Sequence, residues 1–94
     1  MRVRWLKGAL LDLDAAEAYI AQDDARAATE VILRIVRAVS LLKDQPGSGR
    51  AGRVLGTKEL IVPHTPYIVP YRVKDDVVQI LRVYHASRKW PDRL

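Results

Sequence analysis

The stretch that decides the fold runs from Tyr67-Ile-Val-Pro-Tyr-Arg-Val73 through Lys-Asp-Asp to Val77-Val-Gln-Ile-Leu-Arg-Val-Tyr-His85. Two runs rich in β-branched and aromatic residues flank an Asp-Asp pair, which favours a tight turn. The pattern predicts a β-hairpin whose second strand ends in a histidine and leads into a basic, aromatic segment. We therefore expect the hairpin to bring one imidazole and several cations to the same place.

The hairpin has two possible registers. With a two-residue turn, Val69 faces Arg82, which places a cation on the apolar face of the first strand. With a three-residue turn that also includes Lys74, Val69 meets Leu81 and that face stays apolar. Because a one-residue slip exchanges the two faces of a strand, the cost of burying a charge favours the longer turn.

Upstream of the hairpin, the sequence predicts one strand and two helices. Residues 2–6 alternate like a short strand, and residues 7–21 and 25–43 carry apolar side chains at helical spacing. Asp23 or Asp24 can cap the second helix with its carboxylate. Leu33 and Leu41 lie off the apolar stripe of that helix, where they are either incidentally exposed or in contact with a partner chain.

Between the helices and the hairpin, residues 48–56 form a basic, glycine-rich loop, and residues 57–62 read as a strand. The predicted order is β-α-α-β-β-β in a single domain, residues 1–94, with residues 86–94 unassigned. The expected class is α+β, with a helical hairpin packed on one face of a mainly antiparallel sheet.

Composition narrows the classes of function. The chain has 94 residues, 49% of them hydrophobic, and no cysteine, which fits a reducing, cytoplasmic environment. Residues 1–47 balance seven Lys/Arg against seven Asp/Glu, whereas residues 48–94 hold nine against four. The whole excess of +5 therefore lies in the second half, which indicates an anionic partner, either nucleic acid or an acidic protein segment.

His85 is the best candidate for a general acid or base, because its pKa can lie near the working pH. The alternative is that it caps the strand end or packs against Trp90. A set of cations can converge with it on a phosphate, although each can equally be a solvated surface charge. The set comprises Arg53, Lys58, Arg72, Arg82 and Arg88.

Tyr84 and Trp90 can stack on a nucleobase, and Lys89 adds charge beside them. Trp90 can equally serve as a hydrophobic plug. Glu59 is an isolated carboxylate, so no paired-carboxylate site is expected. Two histidines without cysteine do not suggest a metal site, and no cofactor-binding fingerprint is present.

These features together resemble the RelE/ParE superfamily of bacterial toxins from type II toxin–antitoxin modules. The resemblance covers nearly the whole chain. It rests on the order of elements, on Pro46-Gly47 followed by Gly52-Arg53, and on the two hairpin strands with Arg88 beyond them.

The resemblance implies a small cytoplasmic toxin that a cognate antitoxin holds inactive. In this superfamily the C-terminal segment of the antitoxin wraps the toxin, and the complex binds its operator DNA through the antitoxin. We expect Leu33, Leu41 and the basic half of the chain to contact such a partner.

Members of the superfamily have two activities. RelE-type toxins cut messenger RNA in the ribosomal A site without a metal, whereas ParE-type toxins poison DNA gyrase. RelE-like toxins carry a catalytic arginine after the tyrosine that aligns with Tyr67, where this chain has Ile68. The C-terminal tyrosine of some of these nucleases is Ala86 here.

The expected function is therefore ParE-like inhibition of gyrase, supported by the ParE-like sequences at residues 71–73 and 81–85. The alternative is a ribosome-dependent messenger-RNA endonuclease that uses Arg72, Arg82 and His85. A third hypothesis, motivated by charge alone, is a nucleic-acid-binding module without enzymatic activity.

Overall fold

The protein, described by a computed structural model over residues 1–94, places two helices on one face of a six-stranded sheet. In chain order the elements are β1 (Arg2–Trp5), α1 (Lys7–Ala21), α2 (Ala25–Ser40), a 3₁₀ turn (Leu41–Lys43), β2 (Arg50–Ala51), β3 (Lys58–Ile61), β4 (Tyr67–Lys74), β5 (Val77–Ile80) and β6 (Tyr84–His85). The predicted α+β class and helical hairpin are confirmed. The structure differs from the predicted order of elements in two details. The glycine-rich loop contains a short strand, β2, and the last predicted strand is divided into β5 and β6.

The sheet has the order β1-β5-β4-β3-β2, and β6 pairs with β4 beyond the end of β5. β1 runs parallel to β5, and every other pairing is antiparallel. β1 and β2, the strands on either side of the connection through the helices, are therefore the two edges of the sheet.

Capping and periodicity account for the helices. Asp24 is the N-cap of α2, and its Oδ1 accepts hydrogen bonds from the backbone N–H groups of Arg26 and Ala27 at 3.0 and 3.1 Å. The buried residues of both helices pack against one face of the sheet to form the core. They include Ala9, Ala16, Ile35, Val39 and Leu42 from the helical side, and Val69, Tyr71, Val78, Ile80 and Val83 from the strands. Neither helix is both long and apolar enough to cross a membrane.

Tyr71 ties the strands to the loop that follows the helices. Its hydroxyl donates to the carbonyl of Pro46 and accepts from the N–H of Gly49, both at 2.8 Å. Burial raises the pKa of Tyr71, although the hydrogen bond from Gly49 works in the opposite direction. The hydroxyl therefore stays protonated at neutral pH and serves as a fixed joint rather than a reactive group.

The register preferred from the sequence is wrong. Val73 pairs with Val78 across a two-residue turn, in which Asp75 and Asp76 have φ angles of 52° and 61°. Positive φ at both central residues is the geometry of a type I′ turn, whose twist matches that of the flanking strands. The turn thus selects the register that seemed to place Arg82 on the core face.

A β-bulge removes that conflict. β5 pairs Ile80 with Tyr71, whereas β6 pairs Tyr84 with Ile68, so one extra residue lies between them. The carbonyl of Pro70 accepts from the N–H of Leu81 at 3.0 Å and, more weakly, from that of Arg82 at 3.5 Å. Two residues opposing one is the definition of a bulge. Pro70 has no N–H to offer, so the ladder is interrupted where a bond was already missing.

The bulge shifts the strand by one position and so changes which side chains face the helices. Val83 takes the core position that Arg82 would otherwise fill and is 3% exposed. Arg82 turns to α1, where its Nε and Nη2 donate to the two carboxylate oxygens of Asp12 at 2.7 and 2.9 Å. The N–H of Val83 also donates to Asp12, at 3.0 Å. One carboxylate therefore fixes both the bulge and the position of the helix.

We predict that Asp12→Ala lowers the free energy of unfolding by about 2–4 kcal/mol, because it leaves a partly buried guanidinium and a backbone N–H without their acceptor. Urea denaturation followed by circular dichroism measures this loss. Asp14→Ala, on the exposed side of the same helix, is the matched control and should change stability by about 0.5 kcal/mol or less. Equal effects of the two substitutions would contradict the assignment.

Candidate functional site

The face of the sheet opposite the helices carries a cluster of aromatic and cationic side chains. The ring of Trp90 lies 4.9 Å from that of Tyr84, measured between centroids. The guanidinium of Arg53 lies 3.8 Å from the centre of the Trp90 ring, and those of Arg82 and Arg88 lie 4.9 and 5.1 Å from the centre of the Tyr84 ring. These five residues form what we call the outer-face cluster.

The cluster is closed on itself. Tyr84 is 1% exposed because Trp90 lies against it, in the position of a hydrophobic plug. The hydroxyl of Tyr84 and the Nε1 of Trp90 are both buried without a hydrogen-bond partner. The faces of the two rings are occupied by cations of the same chain, and such contacts stabilise by about 0.5–1 kcal/mol each at exposed sites. In this conformation the pair does not offer a free surface for stacking a base.

Glu59 anchors the loop that carries Arg53. Its carboxylate is 2% exposed, and Oε1 accepts from the Nε and Nη2 of Arg50 at 3.1 and 3.0 Å. Oε2 accepts from the backbone N–H of Arg53 at 2.8 Å and lies 3.7 Å from its Nε. A buried carboxylate persists only when it is paired in this way. Glu59 is therefore a structural anion between two half-exposed arginines.

His85 lies in a cleft between α1 and β6, which shares Arg88 with the outer-face cluster. The cleft has a volume of about 400 Å³, and its lining includes Tyr19, Tyr67, Ser87 and Arg88 beside the histidine. The imidazole packs edge-on against the Tyr67 ring at 5.5 Å. The backbone N–H of Ser87 donates to Nδ1 at 3.2 Å, and the Ser87 hydroxyl lies 2.7 Å from the same atom. Because Nδ1 accepts, the neutral ring carries its proton on Nε2.

Tyr67, which packs against the imidazole in this cleft, is not poised for proton transfer. Burial raises the pKa of Tyr67, and the nearby hydroxyl of Tyr19 raises it further. Tyr67 therefore remains protonated at neutral pH and cannot serve as a base. The cleft thus combines one imidazole with the protonated hydroxyl of Tyr67, the guanidinium of Arg88 and the carboxylate of Asp12, which already accepts from Arg82.

The predicted cations converge only in part. Arg53, Arg82 and Arg88 meet at the outer-face cluster, but the hydrogen bond to Asp12 occupies Arg82 and raises its pKa, against the opposing effect of burial. Arg72 pairs with Gln79 and donates to its side chain at 2.6 Å. Since His85 pairs with Tyr67, Arg72 lies five positions away along β4, about 17 Å, and on the opposite face.

Two more predicted cations lie outside both groups. Lys58 pairs with Tyr71 and so shares the face of the sheet that the helices cover. Lys89 is exposed next to the plug residue. No group of three His, Cys, Asp or Glu side chains is close enough to hold a metal ion.

Leu41 lies at the edge of an apolar groove between α2 and β3, and Leu33 lies on α2 outside it. The two leucines are 61% and 45% exposed. The groove has a volume of about 550 Å³, and Ile61 on its opposite wall is 52% exposed. Arg34 and Arg37 line the helical side, and the lining contains no acidic residue.

Sequence reasoning missed the two acids that organise this region, Asp12 and Glu59. Asp12 looked like an ordinary polar residue of an amphipathic helix. Glu59 was recognised as isolated, but not as buried. Its position in the alternation of the second predicted strand, opposite Arg50 of the preceding loop, was the one available signal. Using that signal required knowing that the loop contains a strand.

Comparison with known proteins gives one consistent result. A family model described as the ParE toxin of the type II toxin–antitoxin system parDE matches residues 3–90. The Sinorhizobium fredii protein Y4kP is 48% identical over 99% of this chain and 96% of its own length. Toxin RelE2 of Caulobacter vibrioides is 37% identical over 93% and 97%. A chain of the chromosomal ParDE toxin–antitoxin system of P. aeruginosa superposes with a TM-score of 0.81 and 32% identity, covering 90% of this chain and 95% of its own.

We predict that Glu59→Gln lowers the free energy of unfolding by about 1–3 kcal/mol, because the neutral amide cannot hold the two arginines by charge-assisted hydrogen bonds. Chemical denaturation measures the change. Glu17→Gln, at an exposed position of α1, is the control and should be close to neutral. If the two variants unfold at the same urea concentration, the carboxylate does not anchor the loop.

Proposed function

Since this chain belongs to the ParE family of toxins from type II toxin–antitoxin systems, with a cognate antitoxin as its partner, we propose that it acts by binding DNA gyrase and inhibiting it through protein contact. In the RelE/ParE superfamily, the ParE-type toxins are the branch that acts on gyrase. The strand sequences at residues 71–73 and 81–85 resemble those of this branch.

One observation carries the proposal: the Nε and Nη2 of Arg82 both donate to the carboxylate of Asp12. A guanidinium held in this way is not free to stabilise a developing charge on a scissile phosphate. Arg72 is too far from His85 to replace it. Ile68, at the place where RelE-like nucleases carry an arginine, is 6% exposed within the sheet. Neither of the two arginines that the sequence predicts for RNA cleavage is therefore available beside the imidazole, whereas a binding function does not require them.

The alternative function, cleavage of messenger RNA on the ribosome, is favoured by one feature. His85 and Arg88 line the same cleft, so an acid or base and a cation lie together there. One relative also carries the name Toxin RelE2. In this alternative His85 would transfer a proton at the 2′-hydroxyl or the leaving oxygen, and Arg88 would replace the arginines expected from the sequence.

We predict that the purified toxin inhibits supercoiling by gyrase at micromolar concentration and that His85→Ala inhibits equally well, because contact and not proton transfer carries the effect. A supercoiling assay measures both. The matched experiment is a translating extract, in which toxin is added and messenger RNA is mapped for cuts. Cuts in the A site that disappear in His85→Ala, together with unhindered supercoiling, would establish the nuclease instead.

The groove beside Leu41 is the surface that we assign to the antitoxin. Its floor is apolar and its helical rim carries Arg34 and Arg37, which form a stripe with Leu41 at helical spacing. An amphipathic segment with acidic side chains complements such a groove in both shape and charge. Leu33, on the adjoining side of α2, extends the same contact.

We predict that Leu41→Asp weakens binding of the cognate antitoxin at least tenfold, because it puts a carboxylate into the apolar groove. Isothermal titration calorimetry with the antitoxin measures the affinity. Leu11→Asp is the matched control, since Leu11 is 58% exposed on α1 and outside the groove. Antitoxin binding that is unchanged in the Leu41 variant would assign the antitoxin to another surface.

A further inference from the structure

The most exposed apolar side chain of the protein is Leu55, at the tip of the loop between β2 and β3. It is 99% exposed and is not part of the hydrophobic core. It is the second residue of a turn in which Val54 accepts hydrogen bonds from the backbone N–H and the hydroxyl of Thr57, at 3.1 and 2.6 Å. Gly56, the third residue, has a φ of 82°, which a type II turn requires. The turn therefore directs the leucine outward.

Hydrogen bonds at the base of the loop hold the turn rigidly. The N–H of Gly52 donates to the carbonyl of Thr57 at 2.9 Å and closes the loop. The N–H of the next residue, Arg53, is bound to the buried carboxylate of Glu59, and its guanidinium lies on Trp90. A Cβ at position 52 would collide with Thr57, so the closure depends on glycine there. Because folding already orders this loop, binding through it would cost little further conformational entropy.

The surroundings of the tip are positive. Arg50 and Arg53 each expose 48% of their side chains, and Glu59, their common counter-ion, is buried. Because two cations are paired with a single buried carboxylate, the surface at the base of the turn carries a net positive charge. A partner that receives Leu55 should therefore be acidic around an apolar centre.

The shape of the feature decides between partners. A protruding side chain on a rigid turn gains contact area only in a concave pocket, and a pocket belongs to a folded protein. An extended or helical antitoxin segment gains area from a groove, and the toxin offers one beside Leu41. We propose that Leu55 inserts into an apolar pocket, bordered by acidic side chains, on the folded enzyme that the toxin inhibits. This inference rests on the proposed function in that the target is a protein.

The test compares Leu55→Ser with wild type in the gyrase supercoiling assay. We expect the concentration for half-inhibition to rise at least tenfold, as for a buried anchor residue of an interface. The melting temperature and the affinity for the cognate antitoxin should stay the same, because the side chain is fully exposed and outside the groove. Leu55→Met should restore most of the inhibition, and Leu11→Ser, an exposed leucine on α1, should inhibit like wild type.

Three results would overturn the inference: undiminished inhibition by Leu55→Ser, a loss of antitoxin affinity in its place, or a changed oligomeric state. Failure of the proposed function is recognised separately, because wild-type toxin would then leave gyrase unaffected. In that event growth arrest in bacteria replaces the supercoiling readout. Arrest that Leu55→Ser relieves supports insertion into a different folded target, and arrest that persists in the variant contradicts the inference.

Discussion

The carboxylate of Asp12 is the point on which the architecture depends. It binds the guanidinium of Arg82 with both oxygens and the backbone of Val83 with one of them. The bulge moves Arg82 out of the core-facing position, and Asp12 supplies the acceptor that its displaced guanidinium needs. With it, the arginine becomes the link between α1 and the strands, and Val83 completes the core. A single anion thus couples the position of a helix to the register of a hairpin.

This coupling also explains how far the sequence could predict the fold. The helices, their capping residue and the hairpin follow from local patterns, because spacing and turn chemistry act over a few residues. The register of the hairpin does not follow from local patterns, because strand alternation with a period of two leaves two solutions. One solution buries a cation, and the other requires a longer turn. The protein uses a third solution, in which a bulge opposite Pro70 changes register midway. Its stabilising partner lies 70 residues away, which a local pattern cannot reveal.

The same limit applies to the candidate site. Residue types pointed to Arg53, Arg88, Tyr84 and Trp90, and the structure does bring these four together. What composition could not show is that they contact one another, so that each cation covers an aromatic face. Part of the positive charge in the second half of the chain is neutralised, because Glu59 forms ion pairs with Arg50 and Arg53. The surfaces left for partners are therefore an apolar groove and a protruding turn.

The parallel pairing of β1 with β5 has a consequence for synthesis of the protein in the cell. Arg2 pairs with Val77, so about 75 further residues must be made before the first strand has its partner. At a translation rate of roughly 5–20 residues per second, this delay is about 4–15 s. During that interval neither the complete sheet nor the link between Asp12 and Arg82 can form. The toxin therefore reaches its folded form only after β5 has been made, and the order of the strands delays its activity.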